Sequence, residues 1–600
     1  MQTSPIRYRV ELADLERHLF AVECTIDEPA GNQVFRMPSW IPGSYLLREF
    51  ARFVVSIDAE DARGPVAVEK IDKSAWRVSS AVGPVCVRIL VHARDLSVRG
   101  AFIDRRRAFF NGTSIFLFPE GLQDVPIEVE LALPAHGECA DWEVATAMRA
   151  QSVDSRGFGV YSAENYDELI DHPVEVSAFE RRSFDVSGVP HELVVAGGFD
   201  GDLERLVGDL GRICAVQMAF FGGSAPFEGY LFLCLAVGEG YGGLEHRAST
   251  SLIFNRTDLP KAGEKGVPKS YQRLLALCSH EYFHSWHVKQ TKPAAFSPYR
   301  LDRRNFTRQL WVFEGITTYY QERFLLASGV ISAEIYLQRL AEALTRVYRV
   351  PGRHRQSLSE SSFDAWDSLY KPGPDSVNTG VSYYSKGALI ALALDLLLRA
   401  ESHGEQSLDD IVVALWQRYG RQGIGVPEDG FESVAVELGG PALADFFERA
   451  IRGTEDLDLE SLFVPLGLRF ALRPAVGPSD TGGVRDGKAA MNIGAVIRAR
   501  DTGVGLEVVF DGSAAANAGL SAGDTVVAID GFVVGENSLS SRLSRYEPGQ
   551  TVRVDYIHDG LLLHTELSFQ TPLANTCQVS IQEAASTAQM QLRKGWLGDA

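Results

Sequence analysis

Six hundred residues are too many for one hydrophobic core, so a multidomain chain is expected. A composition that is 45% hydrophobic and 23% charged is that of ordinary globular protein. The 58 basic against 78 acidic side chains leave a net charge of −20, which repels phosphate backbones and anionic lipid and so disfavours nucleic-acid and membrane-surface roles, while a ligand with a free amine meets no such barrier.

Taken in order, residues 1–170 read as a β-sandwich-like domain. Short alternating runs such as Tyr8–Leu12, Val85–Val91 and Ile127–Leu131 are separated by Pro, Gly and Asn turns. Two segments are unusual for plain strands, Trp40–Tyr45 and Ser97–Asp104. Their mix of aromatic, Gly and Arg residues suits either a cleft lining or structured loops. From 171 to 270 the β character continues, and the run Tyr230–Val237 leads into Gly238–His246. Glycines there would let the backbone approach a ligand, with Glu245 facing it; a simple turn is the competing reading. Residues 271–465 carry helical periodicity, including a helix from about Asn305 to Ser328 and another opening at Tyr383. The stretch 466–573 returns to short strands, and Gly512–Gly531 has the spacing of a compact β-rich module. Residues 574–600 are polar and poorly patterned, as in a tail.

Seven cysteines are scattered without a CxxC pair, which suits buried thiols in a reducing compartment. The opening residues Met1–Tyr8 lack the pattern of a signal peptide, and no run approaches 18 uninterrupted apolar residues. A cytoplasmic protein is the expectation.

The most informative stretch is His280-Glu281-Tyr282-Phe283-His284, set in an apolar run without Gly or Pro. On a helix, residues four apart lie one above the other, so the two imidazoles can share one zinc ion. Glu281 between them is placed to take a proton from water. A third protein ligand is needed. His287 lies about 10 Å from His280 along a helix axis, too far to share the ion. Glu314, in the apolar stretch Trp311–Tyr320, is the better candidate, because a buried carboxylate needs a cation. Its competing role is an ion pair with an arginine such as Arg308. The oxyanion formed during attack on a carbonyl needs a further donor, and either Tyr383 or Tyr384 could supply it.

The His280–His284 motif, the Trp-x-x-Glu-Gly stretch at Trp311–Gly315 and the Tyr-x-Lys-Gly stretch at Tyr384–Gly387 together resemble the gluzincin metallopeptidases. Further details resemble family M61, the glycyl aminopeptidases: His280–Trp286 with Lys289 and Pro293, Trp40–Tyr45 with Arg48–Phe50, and Val98–Phe102. This resemblance implies an N-terminal β domain (1–170) and a thermolysin-like catalytic domain (171–465) whose β part is 171–270 and whose helical extension is 271–465. A PDZ domain (466–573) and the tail (574–600) follow. It implies one zinc ion per chain, held by His280, His284 and Glu314, with Glu281 as general base. It also implies release of small N-terminal residues, glycine and alanine, from peptides with a free N-terminus. Tyr384 takes the place of the transition-state tyrosine. Gly242-Gly243-Leu244-Glu245-His246 is similar to the Gly-x-Met-Glu-Asn motif in which the glutamate holds the substrate's amine, which makes Gly242, Gly243 and Glu245 substrate-binding candidates. His287 reads as a supporting residue. The PDZ region implies a peptide ligand, with Asn492-Ile493-Gly494 as a carboxylate loop. An endopeptidase on the same scaffold and a non-catalytic peptide-binding protein are the alternatives.

Overall fold

The computed structural model describes residues 4–79, 81–135 and 137–598. The first three residues of the expected leaderless N-terminus and the last two of the expected tail lie outside the described residues. The chain forms two compact units. One holds residues 1–305 with 328–330 and 416–425, and the other holds 306–327, 331–415 and 426–600.

The first unit begins with strands whose inward and outward residues alternate, as in Ile6–Asp14 and Val85–His92. They build an eight-stranded sheet in which Ile6–Asp14 pairs in parallel with Ile127–Leu131 and antiparallel with Leu19–Ile26. Tyr8, Val10, Phe20, Val22, Val87 and Ile89 of this sheet share one core with Phe35 and Val78 of a second sheet and Phe110 and Val176 of a third. Strand Val174–Ser177 pairs with Arg107–Phe110, so the β domain continues a few residues beyond the expected boundary at 170.

A five-stranded sheet follows. Val189–Ala196, Tyr230–Val237 and Ser249–Asn255 run parallel, and the antiparallel strands Glu180–Val186 and Gly242–Glu245 form its two edges. The helix Leu203–Phe220 makes the crossover between two parallel strands, capped at its start by the Asp202 side chain accepting from the Arg205 N–H. The helix Lys269–Phe283 packs on this sheet, touching the edge strand Gly242–Glu245. Pro268 precedes its first turn, where a missing N–H costs nothing.

The second unit is helical and then β. The expected helix from Asn305 starts later: Trp311–Gly315 forms one π-helical turn that continues as the α-helix Ile316–Ala327. Glycines set the packing of this turn. A Cβ on Gly315 would stand 2.6 Å from the Gly387 Cα, so the turn and the helix Tyr383–Glu401 cross with their backbones nearly touching. The region 376–401 is long and apolar enough to cross a membrane by composition. Its most apolar window is 72% buried, and Leu392, Leu394 and Leu396 are fully enclosed, as expected of a core helix.

The PDZ-like sheet runs in the order Ala495–Arg500, Gly503–Val509, Thr525–Ile529, Thr551–His558, Leu561–Ser568 around its own core, which includes Val504, Leu506, Val526 and Leu567. Strand Leu468–Arg473, expected within this module, pairs instead with Thr576–Ile581. The stretch from 574 is therefore no loose tail. It supplies that strand and the helix Thr587–Leu597, whose Trp596 indole donates to the Tyr319 hydroxyl at 3.0 Å. Polar outer faces hid both elements in the sequence.

Candidate metal and peptide-binding site

Within the first unit, His280 and His284 occupy successive turns at the end of the helix Lys269–Phe283, with ring centroids 4.6 Å apart. One nitrogen of each lies within 4.8 Å of the other. The His284 Nδ1 is 2.8 Å from the His287 backbone oxygen, so Nδ1–H donates there and Nε2 is the nitrogen left to bind a metal. His287 thus acts through its carbonyl, while its ring packs on Phe283. The chain can fold back this way because the helix ends at Phe283 and Val288 takes φ 139°.

Glu281 turns toward the sheet. A Cβ on Gly243 would stand 2.5 Å from its Cδ and 2.7 Å from its Cγ, so the absence of a side chain at 243 is what makes room for the carboxylate. Glu245, Glu281 and His284 are all buried, and one donor atom of each lies within 4.8 Å of the other two. The edge strand is thereby pressed onto the motif helix. Arg99 holds it from the other side, donating to the Gly243 oxygen at 3.1 Å. The Trp40–Tyr45 loop covers Glu245: a Cβ on Gly43, which has φ 92°, would lie 2.5 Å from Glu245 Oε1. Both unusual N-terminal segments therefore pack against the edge strand that carries Gly243 and Glu245.

Next to Glu245, His246 donates from Nδ1 to Asp171 at 3.2 Å. Asp171 also binds Lys289 at 2.7 Å and the Arg247 guanidinium at 2.7 Å. Burial alone would raise the Asp171 carboxyl, but Lys289, Arg247 and His246 outweigh it and hold the group well below the usual carboxylate range. Burial pulls His246 below its ordinary value against the opposing effect of Asp171. This cluster ties the end of the edge strand to the segment just after the motif helix. Sequence pattern alone does not single out Asp171 or Arg247; only Lys289 has a place in the M61 resemblance.

Within the second unit, Glu314 lies in the π turn and is 2% exposed. A π turn bulges the helix and re-aims its side chains, and such turns recur at functional sites. Arg308 stacks on Phe363 and donates to the Ser359 hydroxyl. Among the described residues Arg308 makes no ion pair with Glu314. Tyr383 is fully buried and Tyr384 half-buried, with rings stacked 4.7 Å apart. Lys386 donates to the Arg353 carbonyl at 3.3 Å, and burial lowers it to about 8 despite Asp456 nearby.

The donor set fits a zinc-type ion, since neutral imidazole nitrogen and carboxylate oxygen are its usual ligands. On a mixed α+β multidomain scaffold, imidazoles one turn apart with buried glutamates packed against them mark the class as peptidase, and similarity to known proteins agrees. Residues 7–178 match the peptidase M61 N-terminal domain, 273–390 match the M61 glycyl aminopeptidase family, and 491–569 match a PDZ domain. An aminopeptidase N family protein from Idiomarina loihiensis is 38% identical, with 99% of this chain and 100% of that one covered, and its crystal structure superposes with a TM-score of 0.95. The chain belongs to the M61 peptidase family. More distant are a mutant M1 zinc metallopeptidase from Deinococcus radiodurans bound to a Tyr-Ser-Ala substrate (13% identity, 76% and 95% covered, TM-score 0.47) and Legionella pneumophila aminopeptidase A with aspartic acid (14%, 75% and 49%, 0.47). No curated protein sequence matches the chain.

Proposed function

We propose that this peptidase is a zinc-dependent aminopeptidase that removes small N-terminal residues, glycine and alanine, with one zinc ion held by His280, His284 and Glu314. Zinc, when bound, supplies a Lewis acid that acidifies a water molecule and polarises the scissile carbonyl. Glu281 would be the group to accept a proton from such a water and to pass it to the leaving amine. Tyr384, the more accessible of the tyrosine pair, donates to the oxygen that becomes negative. Glu245 accepts the substrate's ammonium, and the edge strand Gly242–Glu245 offers backbone groups to an extended peptide.

The convergence of Glu245, Glu281 and His284 carries this reading. It supports an amine-binding role for Glu245 close to the proposed base and a proposed metal-binding imidazole. In the PDZ region, the Gly494 carbonyl accepts from the Phe510 N–H and the Ile493 carbonyl from the Ala515 N–H. Asn492-Ile493-Gly494, whose carbonyls at 493 and 494 are tied into the module, is proposed to receive a peptide carboxylate through backbone N–H groups. A cytoplasmic location is proposed because all seven cysteines are unpaired thiols.

The test compares glycyl anilide with its N-acetylated form, alongside metal analysis and a Glu281→Gln variant. Expected are zinc near one equivalent, activity lost on chelation, no turnover of the blocked substrate, and a loss of at least about 10²-fold in Glu281→Gln with zinc retained. Equal turnover of the two substrates would refute the aminopeptidase reading and favour an endopeptidase. Undiminished activity after exhaustive chelation would refute the metal.

A further inference from the structure

We propose that Tyr370 is a positioning residue that sets the direction of the Tyr384 hydroxyl proton. This rests on the reading of Tyr384 as the oxyanion donor. Three phenol oxygens converge in the second unit: Tyr370 lies 3.0 Å from Tyr384 and 3.3 Å from Tyr383. The three come from two places in the chain. Tyr383 and Tyr384 open the helix Tyr383–Glu401, whose first turn is capped by the Ser382 hydroxyl. Tyr370 comes from the turn-rich stretch that follows the helix Leu358–Phe363. Ala365 and Trp366 are buried and anchor that stretch, and the Tyr370 N–H returns to the Ala365 carbonyl at 3.3 Å.

Each phenol carries one proton and accepts through its oxygen. Tyr383 donates to Tyr370, so the Tyr370 oxygen is the acceptor of that bond. Either oxygen can be the donor in the Tyr370–Tyr384 bond, and the proposal assigns that role to Tyr370. With Tyr384 accepting from Tyr370, its own proton is directed out of the trio. The order Tyr383 to Tyr370 to Tyr384 is a chain of one sense. Such chains polarise their last member and make it a stronger donor. A tyrosine that must donate to a developing oxyanion benefits from being held as an acceptor on its other side.

The test is a double-mutant cycle on the full-length enzyme. Tyr370→Phe keeps the ring and removes the hydroxyl. It is expected to lower kcat by about 3- to 10-fold with KM nearly unchanged, the scale of one net hydrogen bond. Tyr383→Phe, one step further back, is expected to lower kcat by about 3-fold or less. In a Tyr384→Phe background, removing the Tyr370 hydroxyl is expected to cost nothing further. A purely structural tyrosine would instead lower kcat by the same factor in both backgrounds, and that result would overturn the proposal. So would an unchanged kcat in Tyr370→Phe. Should that variant fold poorly, the Tyr383→Phe and Tyr384→Phe pair gives the same cycle, with the same additivity as the overturning result. If Tyr384→Phe alone leaves kcat intact, the oxyanion role of Tyr384 is what has failed, and the chain falls with it.

Discussion

Gly243→Ala puts the geometry around Glu281 to its sharpest test. The added methyl would stand 2.5 Å from the Glu281 Cδ and 2.7 Å from its Cγ. An ordinary carbon contact begins near 3.4 Å, so the carboxyl carbon must retreat by about 0.9 Å. The atoms that give way belong to a side chain and not to backbone, so the fold absorbs the change cheaply. The chemistry does not. A base displaced by about 1 Å from its working position costs on the order of 10² in rate. Gly243→Ala should therefore lower kcat on glycyl anilide about 100-fold while zinc content stays at the wild-type level and the melting temperature changes little. Steady-state kinetics with a thermal melt on the same preparation decides it. A kcat within about 3-fold of wild type would refute the claim that Gly243 exists to seat the base.

Gly315→Ala meets backbone instead, with the new Cβ at 2.6 Å from the Gly387 Cα, and should destabilise the second unit by about 1–3 kcal/mol in denaturant unfolding. Asp171→Asn leaves Lys289, whose side chain is 5% exposed, without its carboxylate and should cost about 3–5 kcal/mol. Because the Asp171 carboxyl is held below its unfolded value, its own contribution is present above about pH 4 and is lost only as pH falls through the depressed folded value, so the gap between wild type and variant should stay flat from about pH 7 to 8 and change below that only as His246, which Asp171 steadies, takes up its proton. Lys386 behaves oppositely. Burial lowers it to about 8 from 10.5, so the unfolded chain binds its proton more tightly, and wild-type stability should rise relative to Lys386→Met as pH climbs from about 8 toward 10.5, by at most about 3 kcal/mol. A pH series of melts that shows no such rise would refute the buried-lysine assignment.

What the sequence reveals and what it hides follow one physical line. His280, Glu281 and His284 are legible because three functional groups share one helical stretch, and helical spacing alone sets their directions. Glu314 is legible as a carboxylate stranded among Trp311, Val312, Phe313 and Ile316, although its π turn is not, since nothing in local pattern announces one extra residue in a turn. Gly315 and Gly387 enter the sequence reading only as motif members, and the close backbone approach between them shows only in the fold. The strand and helix after residue 574 escape notice because only a few positions, such as Cys577, Val579 and Trp596, are buried.

Contacts made across the chain are the ones a linear reading loses, and they gather at the site. Arg99 reaches an edge strand 144 residues away, Asp171 ties down His246 75 residues on, and Tyr370 meets Tyr384 from an irregular stretch with no period to read. None of these residues supplies a metal ligand or a base. Arg99 and Asp171 instead hold the edge strand and the His246 that follows it, Tyr370 is proposed to aim Tyr384, and orientation is worth as much to the rate as identity, because a base or donor of the right kind turned away from its target contributes little. Motif residues can therefore be found by pattern, but the residues that aim them have to satisfy only geometry. Many side chains can meet that demand from many places in the chain, so the aiming residues leave no local signature and come to light only when the chain is folded.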